Sequence, residues 1–423
     1  MPDHPVLSQV RLGYSPMIDR QRAVIATRLT IFPERPDAAV DVPALLAALA
    51  EVWPAPADTA PKLTLNMRPL DPAAVKARAA AAAIPPVALN VAGEALLDAV
   101  MAAQPGAGLM VEVPAFMVGD PRHHAALLAL AGAGSTLLIK GRPLAALPRE
   151  LLPCFAHSIV DADEERRSAA TASQMPRDIT TVQSGVRTLA AVDAAFARGA
   201  IATLGWPIDD PVAKPAGRAN VPQDVQVVLE LINGVDKEEP VPKLEALLKK
   251  DPTLAFRLMR YLNSPAFGLS VEISSFGHAL MILGYQRLKR WLALLLASSA
   301  KDINAKPLMF AAVRRGLLME ELVRGQNDSE LRGEMFICGV FSLLDRLLKL
   351  PAEDLFKSVP VPERVAQALL KGEGPFQPYL ELVRAIENES VFDMREWADK
   401  LFMTPGEVNR ALLAALSAAR ALD

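Results

Sequence analysis

Few side chains in this chain could do chemistry, and their spacing narrows the set further. The 423 residues include 5 histidines and 2 cysteines. A metal-dependent hydrolase needs several carboxylates or imidazoles converging on hard cations, plus a group that positions or deprotonates the attacking water. His123 and His124 are adjacent, and neighbours on a helix point about 100° apart, which turns them away from a common ion. His278 stands alone in the C-terminal half, near the start of an apolar helix, where a hydrogen-bonded structural role is expected. Cys154 and Cys338 are two isolated thiols, which make neither a disulfide framework nor a four-ligand zinc cluster, and both are expected to be inert core residues. The glycines of AGAGST lack the third glycine and following Lys-Ser/Thr of a phosphate cradle, so a plain helix-to-strand turn is expected. QRLKRW gathers Arg287, Lys289, Arg290 and Trp291, which could hold a phosphate, nucleic acid or a partner. Three charges without wider basicity give little affinity, and a solvated face beside a core tryptophan is the expectation.

The global charge agrees. With 45 basic against 48 acidic residues, a formal charge of -3 supplies no field to gather nucleic acid or an anionic membrane. The opening MPDHPVLSQV has no basic region followed by an apolar run and cleavage site, so a cytoplasmic protein is expected. The apolar stretch WLALLLASSA falls far short of the ~20 residues of a spanning helix, which excludes membrane insertion on this reading.

The elements that must position these residues divide the chain. Before about residue 205, β-like runs (VIATRLTIF, KLTLNM, PVALNV, GLMVEV, STLLIK, HSIVDA, IATLGW) alternate with helical ones such as GEALLDAVMAA and HHAALLALAGAG, the pattern of a parallel α/β domain. PIDDPVAKPAGRANVP, rich in proline and small residues, reads as a linker. From Gln223 onward every periodic segment recurs at 3.6 residues, as in a helical bundle. The expected organisation is an α/β domain at 1–208, a linker at 209–222 and an all-helical domain at 223–423.

In the helical part, DPTLAFRLMRYLNSPAFG opens with Asp251 as N-cap and Pro252 at the first helical position, buries Leu254, Leu258, Met259 and Leu262, and stops at Asn263–Pro265. Ser274 or Ser275 caps the next helix, whose stripe of Met281, Tyr285, Leu288, Trp291 or Leu292, and Leu295 holds its phase for about four turns. Together with Val228, Leu231, Ile232, Val235 and the segment LEALLKKDP, these motifs resemble the HDOD domain, an all-helical relative of HD-domain phosphohydrolases.

The N-terminal strands, read in order, resemble a degraded EAL domain, a barrel-type fold whose intact members hydrolyse cyclic di-GMP with divalent metals. LGYSPMIDRQRAVIATRLTIF is similar to the opening strand pair of that family, PVALNVAGEALLDA to its asparagine strand and helix, and GLMVEVPAFMVGDP to its glutamate strand. LLPCFAHSIVDAD is similar to its lysine-bearing strand, and VQSGVRTLAAVDAAFARGAIATLGWPIDDP to its closing strand, helix and loop. Trp53 to Pro86 matches least well. EAL-like barrel plus HDOD bundle is the architecture of a bacterial signalling family, and the resemblance covers nearly the whole chain.

The resemblance also says what has changed. Arg28 stands where the family carries its signature glutamate, a cation in place of a metal ligand. Asn90 and Glu112 match family ligands, but Lys140 and Gly141 replace the paired aspartates. Ile159 replaces the lysine that precedes Asp161, Thr180 and Gln183 occupy the late glutamate strand, and Leu204 precedes Gly205 and Trp206 where a glutamine is expected. In the HDOD-like part the position of the His-Asp doublet holds Ser342 and Leu343, with Asp345 two residues on, and imidazole has no ready substitute as a ligand. The implied protein has no catalytic residues, metal or cofactor, and works in signalling through protein partners. A cyclic di-GMP sensor is the alternative, with Arg28, Lys140 and Arg142 available to phosphates without metal; a phosphodiesterase with a rebuilt site is the third reading.

Overall fold

The computed structural model describes residues 4–54, 86–106, 108–142, 147–164, 179–212, 223–248, 276–297, 302–326, 328–358 and 361–420. The sequence-based strand KLTLNM, the poorly matching stretch after Trp53, and the motifs from Asp251 to Ser275 lie outside these residues.

Eight strands close into a barrel in chain order. They are β1 (Val10–Ile18), β2 (Val24–Pro33), β3 (Val87–Val91), β4 (Leu109–Pro114), β5 (Thr136–Lys140), β6 (Phe155–Asp161), β7 (Thr180–Ser184) and β8 (Ala202–Leu204). Strand β1 runs antiparallel to both β2 and β8, and every other adjacent pair is parallel. Connection length explains the odd strand. Between β1 and β2 there is room only for a tight turn, in which the Asp19 carboxylate accepts from the Ala23 N–H (2.8 Å) and Arg22 takes a left-handed φ of 59°. A turn that short permits only antiparallel pairing, whereas parallel strands need a crossover helix. Helices Glu94–Ala103, Pro121–Gly132 and Leu189–Ala197 supply crossovers after β3, β4 and β7, the last two capped by the side chains of Asp120 and Thr188. AGAGST forms a helix-to-strand turn, with Gly134 at φ 97° between Pro121–Gly132 and β5.

Inside the barrel, Met17, Ala26, Ala88, Met110, Leu138, Ile159, Val182, Ala202 and Leu204 form one buried layer in which alanines face larger side chains. Successive residues of a strand point to opposite faces, so the next inward position lies two residues further along. On the parallel strands that position is Arg28, Asn90, Glu112, Lys140, Asp161 and Ser184; on antiparallel β1 it is Ser15. The apolar layer is thus a floor, and the chemistry-bearing residues stand on it.

By contacts, the barrel unit comprises Met1–Asp209 together with Ala385–Arg395 and Thr404–Arg410; the other unit comprises Asp210–Arg384, Glu396–Met403 and Ala411–Asp423. The barrel unit therefore recruits chain from the region that the sequence reading placed in the helical domain. Asn409 accepts from the Leu12 N–H (3.1 Å) and donates to the carbonyls of Leu7 (2.8 Å) and Val10 (2.7 Å).

Among its described residues the second unit has helices and no strand. Val228, Leu231, Ile232 and Val235 are buried on helix Gln223–Asp236 as their spacing requires. Helices Lys306–Leu322 and Ser329–Phe341 approach closely at Gly316 and Gly339. A Cβ on Gly339 would lie 2.6 Å from the carbonyl oxygen of Arg315. Two expectations are corrected. Helix Phe276–Ala297 is broken at Gly284 (φ 72°, ψ 168°), so its stripe does not keep phase: Leu288, Trp291, Leu292 and Leu295 are buried, whereas Met281 is 83% exposed. Cys338 is buried, but Cys154 is only half-buried, at the edge of a single helical turn before β6.

Candidate functional site

Arg28 and Glu112 face each other on the barrel floor and form a two-pronged ion pair, with Nε 2.7 Å from Oε1 and Nη2 2.8 Å from Oε2. The Glu112 side chain has no exposed surface. Burial alone would lower the basicity of Arg28, but the carboxylate of Glu112 and then that of Glu389 outweigh it, and the guanidinium is held more firmly charged than usual. Both oxygens of Glu112 are occupied by one planar cation, the geometry for which arginine is suited.

Beside this pair, Lys140 Nζ donates to Asn90 Oδ1 (2.8 Å), and Asn90 Nδ2 donates to Thr30 Oγ1 (3.0 Å). Desolvation depresses the pKa of Lys140, the charge of Arg28 adds to that, and Glu112 and Glu389 oppose it. Asp161 accepts the backbone N–H of Asp163 (2.8 Å), and its carboxylate packs against Gly185, where a Cβ would lie 2.7 Å from Oδ2. These residues open onto a cavity of about 1410 Å³ at the strand ends, whose lining includes Arg28, Asn90, Lys140, Gly141, Arg142 and Asp161. Glu112 lies beneath Arg28 rather than on the cavity wall.

Glu389, which the sequence reading did not single out, also lines this cavity. Its Oε2 accepts from Arg28 Nη1 (3.4 Å) and its Oε1 from Ser15 Oγ (3.1 Å). Glu389 takes a left-handed φ of 56° in the turn that ends helix Gln377–Glu387, where its N–H bonds to the Ile386 carbonyl (3.2 Å) and that of Ser390 to the Ala385 carbonyl (3.1 Å). No local motif announces it, because its partner Arg28 is 361 residues away.

Two sequence-singled positions stand apart from the cluster. Gln183 points to the outer face of β7, where Oε1 accepts from Arg198 (2.5 Å), and the inward residue at that level is Ser184. Thr180 lies at the opposite end of β7, bonded to His157 Nδ1 (2.6 Å). Leu204 belongs to the apolar floor, and Trp206 is buried beside it, donating to the Tyr14 carbonyl (3.2 Å).

The metals that the fold resemblance implies do not fit these residues. The carboxylate best placed for a cation is chelated by Arg28, and Lys140 covers the amide oxygen of Asn90. A different cluster, Glu94, Asp98 and His123, brings three ligand atoms within 4.8 Å of one another. There the buried Nδ1 of His123 has no hydrogen-bond partner among the described residues, whereas a metal-bound imidazole is oriented through its second nitrogen. His123 Nε2 sits 3.4 Å from Asp98, a His–carboxylate contact. His124 faces elsewhere, with Nε2 3.1 Å from the Val118 carbonyl.

In the helical unit, Ser342 Oγ donates to the Gly339 carbonyl (2.7 Å) and accepts from Arg315 Nη1 (3.0 Å), and Leu343 is buried. A guanidinium again stands at a position where the resemblance expects ligands. Lys289 is paired with Asp236, and Arg290 with Glu320 (2.7 Å) beneath the ring of Phe336. Arg287 and His278 lie on helix Phe276–Ala297, and only their backbone is described.

The family model described as the HDOD domain matches residues 221–352. The chain carries an HDOD domain. Ser342, Leu343 and the Arg315 contact all fall within it. Over 168 residues, 38% of this chain and 40% of the relative, the sequence is 32% identical to the uncharacterized protein YuxH of Bacillus subtilis (strain 168). Over 155 residues it is 30% identical to the cyclic di-GMP phosphodiesterase CdgJ of Vibrio cholerae serotype O1, covering 37% of this chain and 34% of that protein. The chain thus spans less than half the length of either relative. Among solved structures, the EAL domain of Mycobacterium smegmatis DcpA is similar at 16% identity with a TM-score of 0.29, covering 48% of this chain and 92% of that one. The barrel itself rests on its own strand pairing. Among the described residues, no helix is long and apolar enough to cross a membrane.

Proposed function

We propose that this chain is a non-enzymatic cytoplasmic signalling protein, in which the HDOD domain binds a protein partner and the EAL-like barrel supplies a second docking surface or modulates the first. The observation that carries this reading is the Arg28–Glu112 ion pair: a guanidinium occupies both oxygens of the carboxylate that a hydrolase of this fold would offer to a metal. Similarity to CdgJ places cyclic di-GMP among the molecules to test without deciding the activity. The purified chain is expected to leave cyclic di-GMP intact with Mg²⁺ or Mn²⁺ present, followed by chromatography of the nucleotide products. Metal-dependent turnover abolished by Glu112→Gln would establish a phosphodiesterase with an atypical site instead.

A second reading, a cyclic di-GMP sensor without hydrolysis, is favoured by a specific feature: the cavity wall includes Arg28, Lys140 and Arg142, cations able to pair with phosphates. Calorimetry with the dinucleotide separates the two. Binding at micromolar concentration or tighter supports the sensor, and the absence of heat leaves the partner-binding reading.

A further inference from the structure

The cavity and the segment Ala385–Arg395 meet at one side chain. Glu389 reaches Arg28 and Ser15 from a stretch of chain that belongs to the barrel unit although it lies far along the sequence. Three observations set it apart from an ordinary surface ion pair. Its carboxylate touches the one cation that also binds Glu112, so Arg28 carries two anions, and the second, at 3.4 Å, is the weaker. Its backbone is left-handed just past helix Gln377–Glu387, in a helix-ending turn closed by the N–H groups of Glu389 and Ser390 on the carbonyls of Ile386 (3.2 Å) and Ala385 (3.1 Å), which fixes where the side chain leaves the chain. Its neighbour Asn388 also lines the cavity and accepts from Arg187 Nη1 (2.7 Å), which fixes the approach of the segment.

We propose that Glu389 is a built-in anionic plug: its carboxylate occupies the position at Arg28 that a phosphate group of a ligand would take, so ligand entry and seating of segment 385–395 are mutually exclusive. The proposal rests on the sensor reading of the cavity and adds the means by which occupancy is reported. An incoming phosphodiester carries the same single charge as the carboxylate but can form the shorter charge-assisted bonds that Glu389, at 3.4 Å from Arg28, does not reach. Displacing Glu389 removes its ties to Arg28 and Ser15 and leaves the Asn388–Arg187 and Arg395–Glu34 bonds to hold the segment at the strand ends, so the seating of the segment weakens. That segment is covalently continuous on both sides with chain of the other unit, Arg384 before it and Glu396 after it. Linkage makes the coupling reciprocal: whatever holds the segment down weakens the ligand by the same factor.

The test uses the full chain with cyclic di-GMP as probe. Glu389→Gln keeps the length of the side chain and an acceptor for Ser15 but removes the charge, and is expected to bind the probe about fivefold to tenfold more tightly than the unaltered protein by calorimetry. Independently of any variant, saturating probe is expected to speed amide hydrogen exchange in residues 385–395 of the unaltered protein while leaving β3 to β5 protected. Equal affinity of the two proteins, with exchange in the segment unchanged, overturns the plug and leaves the cavity reading standing. If neither protein binds the probe, both fall together.

Discussion

Arg28 holds both oxygens of Glu112 because of where it stands as much as what it is. A cation at that level of β2, one inward position above the apolar floor, has Glu112 as its natural partner across the interior, and the pair then excludes other cations from the carboxylate. Removing one member of a buried pair leaves the other charge without compensation, at a cost of about 3–5 kcal/mol. Arg28→Ala is therefore expected to lower the stability of the barrel by about that much in denaturant unfolding, with Arg28→Met/Glu112→Leu recovering most of the loss. If Arg28→Ala unfolds at the denaturant concentration of the unaltered chain, the pair does not stabilise the barrel as its burial requires. The identity of this residue was legible in the sequence, since a lone arginine in VIATRLTIF is conspicuous. Its second partner was not, because nothing local connects position 28 with position 389.

At the scale of elements, alternation along strands was legible and the register of one strand was not. VIATRLTIF, PVALNV, GLMVEV and STLLIK each show their inward residues through period two, and Arg28, Asn90, Glu112 and Lys140 converge as that period requires. In ITTVQS each face carries one apolar and two polar residues (Ile179, Thr181 and Gln183 against Thr180, Val182 and Ser184), so pattern alone cannot say whether Gln183 or Ser184 looks inward, and a one-residue slip exchanges the faces. The break at Gly284 has a similar origin: an apolar run looks continuous to a periodicity argument although a glycine inside it has taken a conformation that ends the helix. Glycine also fixes the tightest helix contact of the second unit. A methyl group on Gly339 meets the backbone of Arg315 and Gly316 at 2.6 Å, atoms that cannot rotate away. Gly339→Ala is expected to destabilise that unit by about 1–3 kcal/mol or more, read from the same unfolding measurement, while Gly325→Ala, with open space around it, is expected to change little. Equal effects of the two substitutions would contradict the close packing.

For the molecule as a whole, composition divides the chain more simply than contacts do. The change from alternating to purely helical periodicity near residue 209 is real in the elements, yet stretches after residue 384 complete the barrel unit. The reason is polar. Asn409 satisfies one N–H and two carbonyls in and before β1, and Ser15 on the same strand hydrogen-bonds Glu389. A buried N–H or carbonyl left without its partner costs about 1–3 kcal/mol. Glycine at position 13 points the same way, since a Cβ there would lie 3.0 Å from the Ile386 carbonyl oxygen. A fragment of residues 1–209 is thus expected to be less stable than the barrel within the full chain, by several kcal/mol on this count. Its unfolding midpoint, followed through Trp53 and Trp206 with the tryptophans of the helical part replaced in the full chain for comparison, should fall well below that of the intact protein. In the full chain, Asn409→Ala should reproduce part of the difference. Matching midpoints for fragment and full chain would mean that the barrel closes its own surface and that the C-terminal segments merely rest on it, in which case the seat of Glu389 at Arg28 would lose its structural support.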